Sequence, residues 1–174
     1  MGVAGNWGAT PSEQTEPLAC DPLLPAATSR LHRAVSVRAP VELLYRWACQ
    51  LSVAPYSYDW IDNRGRPSPR ELVPGSDMLR VGQRFMIILR LAGFERDDHL
   101  TLVNRRTAVT YATRPTPGGS RLLVRMLFTP PGGRVGAAVV GAPLAVGDLV
   151  MMRRQLLNLK RFAERDARRS AGPS

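Results

Sequence analysis

Lysine is almost missing from this 174-residue chain: Lys160 stands alone, so the other 23 of its 24 basic residues are arginine. Histidine and cysteine are nearly as scarce, with His32, His99, Cys20 and Cys49 making up the full set. Their spacings form no group of metal ligands, so no metal site and no cofactor are expected. No glycine-rich loop runs into a helix through a lysine, which excludes a P-loop, and the absence of G-x-S-x-G excludes the nucleophile elbow of many hydrolases. No apolar stretch reaches the ~18 residues of a membrane-spanning helix; the longest, residues 135–147, is broken by Gly136, Gly141 and Pro143. Nor is there a basic residue before Arg30 to begin a secretory signal. Membrane insertion is therefore not expected, and the cytoplasm is the expected location. Cys20 falls in a polar, proline-rich stretch and Cys49 in an apolar helical one, which argues for one loose thiol and one packed thiol, with no disulfide.

What is present is ordinary for a globular protein, with 44% apolar and 22% charged residues. The length suits one domain. The net charge of +10 and pI near 11.1 would put nucleic acid first among partners. Yet near-exclusive arginine, with abundant Ala, Gly, Pro and Val, is the signature of a GC-rich coding sequence, so the charge is weak evidence for a binding surface. It is also spread out: residues 1–28 carry −3 and residues 150–174 carry +5.

Residues 1–28 contain Glu13, Glu16, Asp21 and four prolines with almost no periodicity, and are expected to form a disordered leader. Residues 29–166 form the expected domain, and residues 167–174 a flexible tail. In residues 31–38, Leu31, Val35 and Val37 alternate with His32, Ser36 and Arg38, a strand pattern. Pro40 then opens a helix, because its missing N–H has no intrahelical partner in the first turn. Leu44, Trp47, Ala48 and Leu51 follow at helical spacing. Residues 56–63 are aromatic and predict a second short helix, and 64–82 read as a long loop rich in Pro, Gly and Ser. From Arg84 the period switches to two: a nearly continuous apolar run at 85–91, read as a strand buried on both sides or paired near the sheet centre, and segments at 99–104, 107–112 and 121–128 predict strands joined as antiparallel hairpins. A Gly/Pro-rich segment, 129–143, leads to a final helix of roughly 20 residues with Leu149, Met152, Leu156, Leu159 and Ala163 on one face. The fold class is therefore α+β: a curved antiparallel sheet wrapped on a long C-terminal helix, with two short helices after the first strand.

Several segments resemble the START-like, SRPBCC superfamily of polyketide cyclases/dehydrases and lipid-transfer domains. They are Ala39-Pro40-Val41-Glu42 running into the helix with Trp47, then Tyr56-Ser57-Tyr58-Asp59-Trp60, then Val81-Gly82-Gln83-Arg84. The last is Gly147-Asp148-Leu149-Val150-Met151-Met152-Arg153-Arg154-Gln155-Leu156-Leu157-Asn158-Leu159-Lys160, which is very similar to the closing helix of actinobacterial members. The resemblance covers residues 30–166 and implies a helix-grip fold with a cavity between sheet and helix. The span from Arg84 to Phe128 is shorter than in those relatives.

Candidate ligand-binding residues follow. Tyr56, Tyr58, Asp59 and Trp60 place amphipathic rings and a carboxylate at the expected mouth, where they orient a ligand or plug the end of the sheet. Asp59 is a candidate partner for Arg84, Arg90 or Arg125. Trp47, Met86, Ile88, Tyr111, Val124, Met126, Met152 and Leu156 are candidate wall residues, since methionine and aliphatic side chains adapt to irregular apolar ligands. The same residues also suit a plain core. For acid–base chemistry, Asp59 or Tyr58 are the candidates of a cyclase-type activity. His99 follows Asp97 and Asp98, but on a strand Asp98 points to the opposite face, leaving His99 as a surface histidine. The expected function is binding of a hydrophobic or aromatic small molecule, lipid or polyketide-like, with or without cyclase/dehydrase-type chemistry. The alternative is a nucleic-acid or anionic-surface module using the basic C-terminal helix; nucleic acid is the less favoured partner.

Overall fold

The computed structural model describes residues 5–171 except 59, 61, 62, 64, 87, 131 and 132; for 133–146 and 148 it describes the backbone. The elements are β1 (Asn6–Trp7), α1 (Pro11–Thr15), β2 (Ser29–Val37), α2 (Val41–Cys49), β3 (Arg84–Phe85), β4 (Leu89–Glu95), β5 (His99–Val103), β6 (Thr107–Thr116), β7 (Gly119–Phe128) and α3 (Gly133–Ser170). Among the described residues the strands make one sheet in the order β1-β2-β7-β6-β5-β4-β3. Every pairing is antiparallel except β1 with β2. A register shift between Leu91 and Gly93 marks a bulge, which bends β4 and helps the sheet curl. The β6–β7 hairpin needs a glycine at its turn: Gly119 has φ +143, and a Cβ there would lie 2.3 Å from the Val37 carbonyl oxygen.

Pro40 precedes α2, whose Leu44, Tyr45, Trp47, Ala48 and Cys49 are buried. A 3-10 turn, Gln50–Ser52, continues it. The second short helix expected over 56–63 lies partly outside the described residues. The last helix is longer than its apolar stripe implied, 38 residues rather than about 20. Glycines and Pro143 signal a loop in residues 129–143, but Ala137, Ala138 and Ala142 between them have the strongest helix propensity. At the other end the helix continues through Ser170, and Ala167 packs on the core where a flexible tail was expected. No helix among the described residues is long and apolar enough to cross a membrane.

The inner face of the sheet meets α2 and α3 in the main core. Leu100, Leu102, Val109, Tyr111, Leu122 and Val124 from the strands pack there with Trp47, Leu156, Leu159 and Ala163. The outer face is covered too, and by the segment expected to be a disordered leader. Leu18 and Cys20 pack with Ala34, Ala108, Ala112, Leu123 and Leu127 in a second cluster. Thr10 and Glu13 form a capping box on α1, satisfying two backbone donors at once. Three acids of this segment then meet three arginines of β6 and β7: Glu16 with Arg114 at 2.7 Å, Glu13 with Arg121 at 2.6 Å and Asp21 with Arg125 at 2.6 Å. Arg125 is 1% exposed and also donates to the Glu13 and Gln14 carbonyls. A polar, proline-rich composition gave the appearance of disorder; charge complementarity to the sheet supplies the order. Cys20, expected to be loose, is fully buried, and burial pushes its thiol up. His32 is buried under the same segment, and desolvation followed by the Arg125 charge holds it down at about 4.

Candidate ligand-binding site

An apolar pocket of about 260 Å³ lies between the inner face of the sheet and α3, lined by Met86, Ile88, Leu89, Val109, Met126, Met151 and Met152, with Pro55, Ser57, Tyr111 and Gln155. β6 and β7 supply one wall because period-two alternation turns Val109, Tyr111 and Met126 to the same side. The i, i+3 spacing of α3 supplies the other through Met152 and Gln155. The β3–β4 connection forms the rim: Met86 sits there at φ +41, a left-handed conformation that costs a non-glycine residue of order 1 kcal/mol. Ile88 beside it is 70% exposed.

The polar content of the pocket is a short relay. The Tyr111 hydroxyl donates to Gln155 Oε1 at 2.7 Å, and Gln155 Nε2 donates to the Pro55 carbonyl at 2.6 Å. Two further residues of α3 hold the next two carbonyls: Asn158 Nδ2 donates to Tyr56 at 2.8 Å and Arg154 Nε to Ser57 at 3.0 Å. Three successive carbonyls are thus fixed to one helix, which over-determines the backbone and sustains Tyr56 at φ +57.

No family model matches the chain, and no curated protein matches it. Solved structures do. A protein of Staphylococcus saprophyticus is 11% identical over 79% of this chain and 93% of its own, with a TM-score of 0.52. One of Nitrosomonas europaea is 12% identical over 87% and 99%, with a TM-score of 0.51. A Polyketide_cyc-like protein of Corynebacterium glutamicum is 15% identical over 83% and 97%, with a TM-score of 0.48. The chain has the helix-grip fold. It agrees with the helix grip that the sequence resemblance implied.

Within the helix grip, the structure sorts the twelve candidate residues. Met86, Ile88, Tyr111, Met126 and Met152 line the pocket. Val124 and Leu156 lie in the packed core beneath it, 2% and 0% exposed. Trp47 is core as well, not wall: its ring stacks on Phe162 at 4.9 Å, meets Tyr56 edge-on at 5.9 Å, and its Nε1 donates to Asp166. Tyr56 belongs to this aromatic cluster, and its hydroxyl accepts from Gln50 Nε2 at 2.9 Å. It does not reach the pocket mouth because the carbonyl clamps turn its ring toward α2. Tyr58 lies under the Arg154 guanidinium at 4.7 Å, outside the pocket. Trp60 is 74% exposed, and Asp59 lies outside the described residues. The candidate partners for Asp59 have other roles: Arg125 is on the outer face with Asp21, and Arg90 donates to the Gly82 carbonyl. Pocket residues the sequence reading missed are Pro55, Ser57, Leu89, Val109, Met151 and Gln155. Gln155 carried a usable signal, an amide between Met152 and Leu156 on the apolar stripe, where a buried polar group needs a partner.

The expectation for His99 is corrected. Its Nδ1 lies 2.6 Å from Asp98 Oδ2, because β5 begins at His99 and Asp98 is still in the turn, where strand alternation does not apply. Asp98 also binds Arg114 at 2.7 Å, so His99 joins the network that ties Glu16 to the sheet. Glu95, Asp98 and His99 bring ligand atoms within 4.8 Å of one another, a grouping not expected from the sequence. It lies outside the pocket lining. The pocket lining itself, among the described residues, holds no His, Asp, Glu, Lys or Cys. Cys49 is buried near Tyr45, and desolvation pushes its thiol up to about 12, far from nucleophilic use.

Proposed function

We propose that this helix-grip domain binds an apolar or aromatic small molecule of lipid or polyketide-like character, in the cytoplasm, in the pocket between β6, β7 and α3. The observation that carries the reading is the lining: four methionine side chains with Ile88, Leu89 and Val109 around about 260 Å³, and a tyrosine–glutamine relay as its polar feature. Such a volume is just below the ~300–1,000 Å³ of most small-molecule sites, which favours a compact ligand or one end of a longer chain. Methionine adapts its three torsions to irregular shapes, and the Gln155 amide can exchange a partner for a ligand carbonyl or hydroxyl. Binding is favoured over cyclase or dehydrase chemistry because the described lining offers the hydroxyl-bearing residues Tyr111 and Ser57 and no carboxylate or imidazole to move a proton.

Methyl-labelled methionine NMR tests this with medium-chain fatty acids and polyphenolic aromatics as ligands. Saturable shifts are expected at Met86, Met126, Met151 and Met152, with Met78, 79% exposed outside the pocket, as the internal reference. Ligand at 100 Kd also adds about 2.7 kcal/mol of stability. No saturable shift across the panel, or shifts equal at Met78, refutes the reading.

A further inference from the structure

A second cleft, of about 270 Å³, opens between α3 and loop residues 67–70. It meets the apolar pocket at Ser57, which lines both, but its chemistry is opposite. Arg70, Arg154, Arg161 and Arg165 line it with Asn158 and Ser68, over a floor that includes Tyr56 and Phe162, and no carboxylate is in the lining. Arg154, Asn158, Arg161 and Arg165 recur at i, i+4, i+7 and i+11, one face of the helix, and Arg70 faces them from the loop.

The four guanidiniums differ in how far they are neutralised. Arg154 gives Nε to the Ser57 carbonyl and stacks over Tyr58. Arg165 is held by Nε to Asp166, while its buried Nη2, 2.7 Å from the same carboxylate, makes no hydrogen bond. Arg161 and Arg70 make no hydrogen bond or ion pair among the described residues. Several like charges therefore converge on one concavity, with Asp166 and, at its rim, Glu71, which pairs with Arg169 at 3.7 Å, as the nearby counter-charges. Guanidinium forks match the oxygens of a phosphate in spacing and charge.

From this we infer that the cleft binds a phosphate group, carried by a soluble phosphorylated molecule or by a lipid headgroup. The inference stands on the arginine cleft alone and does not depend on the apolar pocket being occupied.

Isothermal titration with pyrophosphate at constant ionic strength near ~150 mM, where exposed charges are screened, is the test. Saturable one-to-one binding is expected, weakened ~10-fold or more in Arg70→Gln/Arg161→Gln. That pair leaves the melting temperature unchanged, since both side chains are exposed and unpartnered. The control pair Arg105→Gln/Arg106→Gln, exposed in the β5–β6 turn, removes the same charge and retains the affinity. Absence of saturable binding, or equal weakening by both pairs, overturns the inference. Vesicles of phosphatidic acid in phosphatidylcholine separate the two sources. Vesicle binding that pyrophosphate displaces identifies a headgroup, and pyrophosphate binding without vesicle binding identifies a soluble ligand; either supports the site. Binding of vesicles or duplex DNA that pyrophosphate does not displace overturns it. Filling the apolar pocket with Met152→Trp leaves pyrophosphate affinity intact, so failure of one site is distinguishable from failure of the other.

Discussion

Asp21→Asn isolates the charge of the most deeply buried ion pair on the outer face while keeping the side chain's size. Arg125 is 1% exposed and lies 2.6 Å from Asp21; the substitution leaves its guanidinium buried with the Glu13 and Gln14 carbonyls and no counter-charge. Removing one partner of a buried pair costs about 3–5 kcal/mol. The two retained carbonyls place this case near the lower end, about 3 kcal/mol, or roughly 6–12 °C in melting temperature for a domain of this size. The converse change is milder, because Asp21 keeps the Arg30 guanidinium at 3.5 Å and the Leu18 N–H at 2.9 Å when Arg125 becomes Met. Arg125→Met is therefore expected to destabilise less than Asp21→Asn, and the double variant less than the sum of the two. Circular-dichroism melts of the four proteins close the cycle. A loss under about 0.5 kcal/mol in Asp21→Asn, the level of an ordinary surface change, or strict additivity in the double variant, refutes the idea that this pair anchors the N-terminal segment.

Acid titration reads the same face. His32 is held neutral down to about 4 by burial and Arg125, while unfolded chain takes up the proton near its ordinary 6.5. The unfolded state thus binds more protons between those values, so stability is full above pH 6.5 and falls as pH drops toward 4, by about 3 kcal/mol. His32→Gln flattens that interval in pH-dependent melts. The loss below pH 4.5 remains in that variant, from Glu13 and Glu164, both held below the usual carboxylate value, Glu13 by its Arg121 hydrogen bond and Glu164 by hydrogen bonds from the Arg38 backbone N–H and Lys160; a variant with an unaltered slope contradicts the assignment. In native protein both thiols resist a thiol reagent, and Asp21→Asn exposes Cys20 while Cys49 stays protected; simultaneous labelling shows global unfolding instead. Tyr111→Phe leaves Gln155 Oε1 short of its donor and costs about 1–3 kcal/mol in urea unfolding, and an unchanged midpoint removes the relay from the account.

The architecture was legible because its periodicities are strong. Tyr111, Val124 and Met126 announced the inner face of the sheet at period two, and Met152, Leu156, Leu159 and Ala163 the buried stripe of α3. Five pocket residues came out of those same patterns. The rest was hidden for identifiable reasons. Alternation tells which residues share a face but not whether a strand is covered on both, so the burial of His32 and Arg125 could not be read from β2 and β7 alone. The order of the N-terminal segment rests on pairings between residues about a hundred positions apart, which no local window contains. An amphipathic ring suits a rim, which is why the sequence points Tyr56 to the mouth; its left-handed backbone, set by donors from α3, turns it into the core.

The separation of those pairings also orders events in time. Asp21 meets Arg125 across 104 positions, and Glu13 meets Arg121 across 108. At a synthesis rate of about 5–20 residues per second, the N-terminal segment waits roughly 5–20 s before β7 has emerged to receive it. Through that interval its three carboxylates stay hydrated without a partner, and its apolar load is Trp7, Leu18, Cys20, Leu23 and Leu24. The pieces that look least structured in the sequence are thus suited to being made early and docked late, closing the outer face once the sheet beneath them is complete.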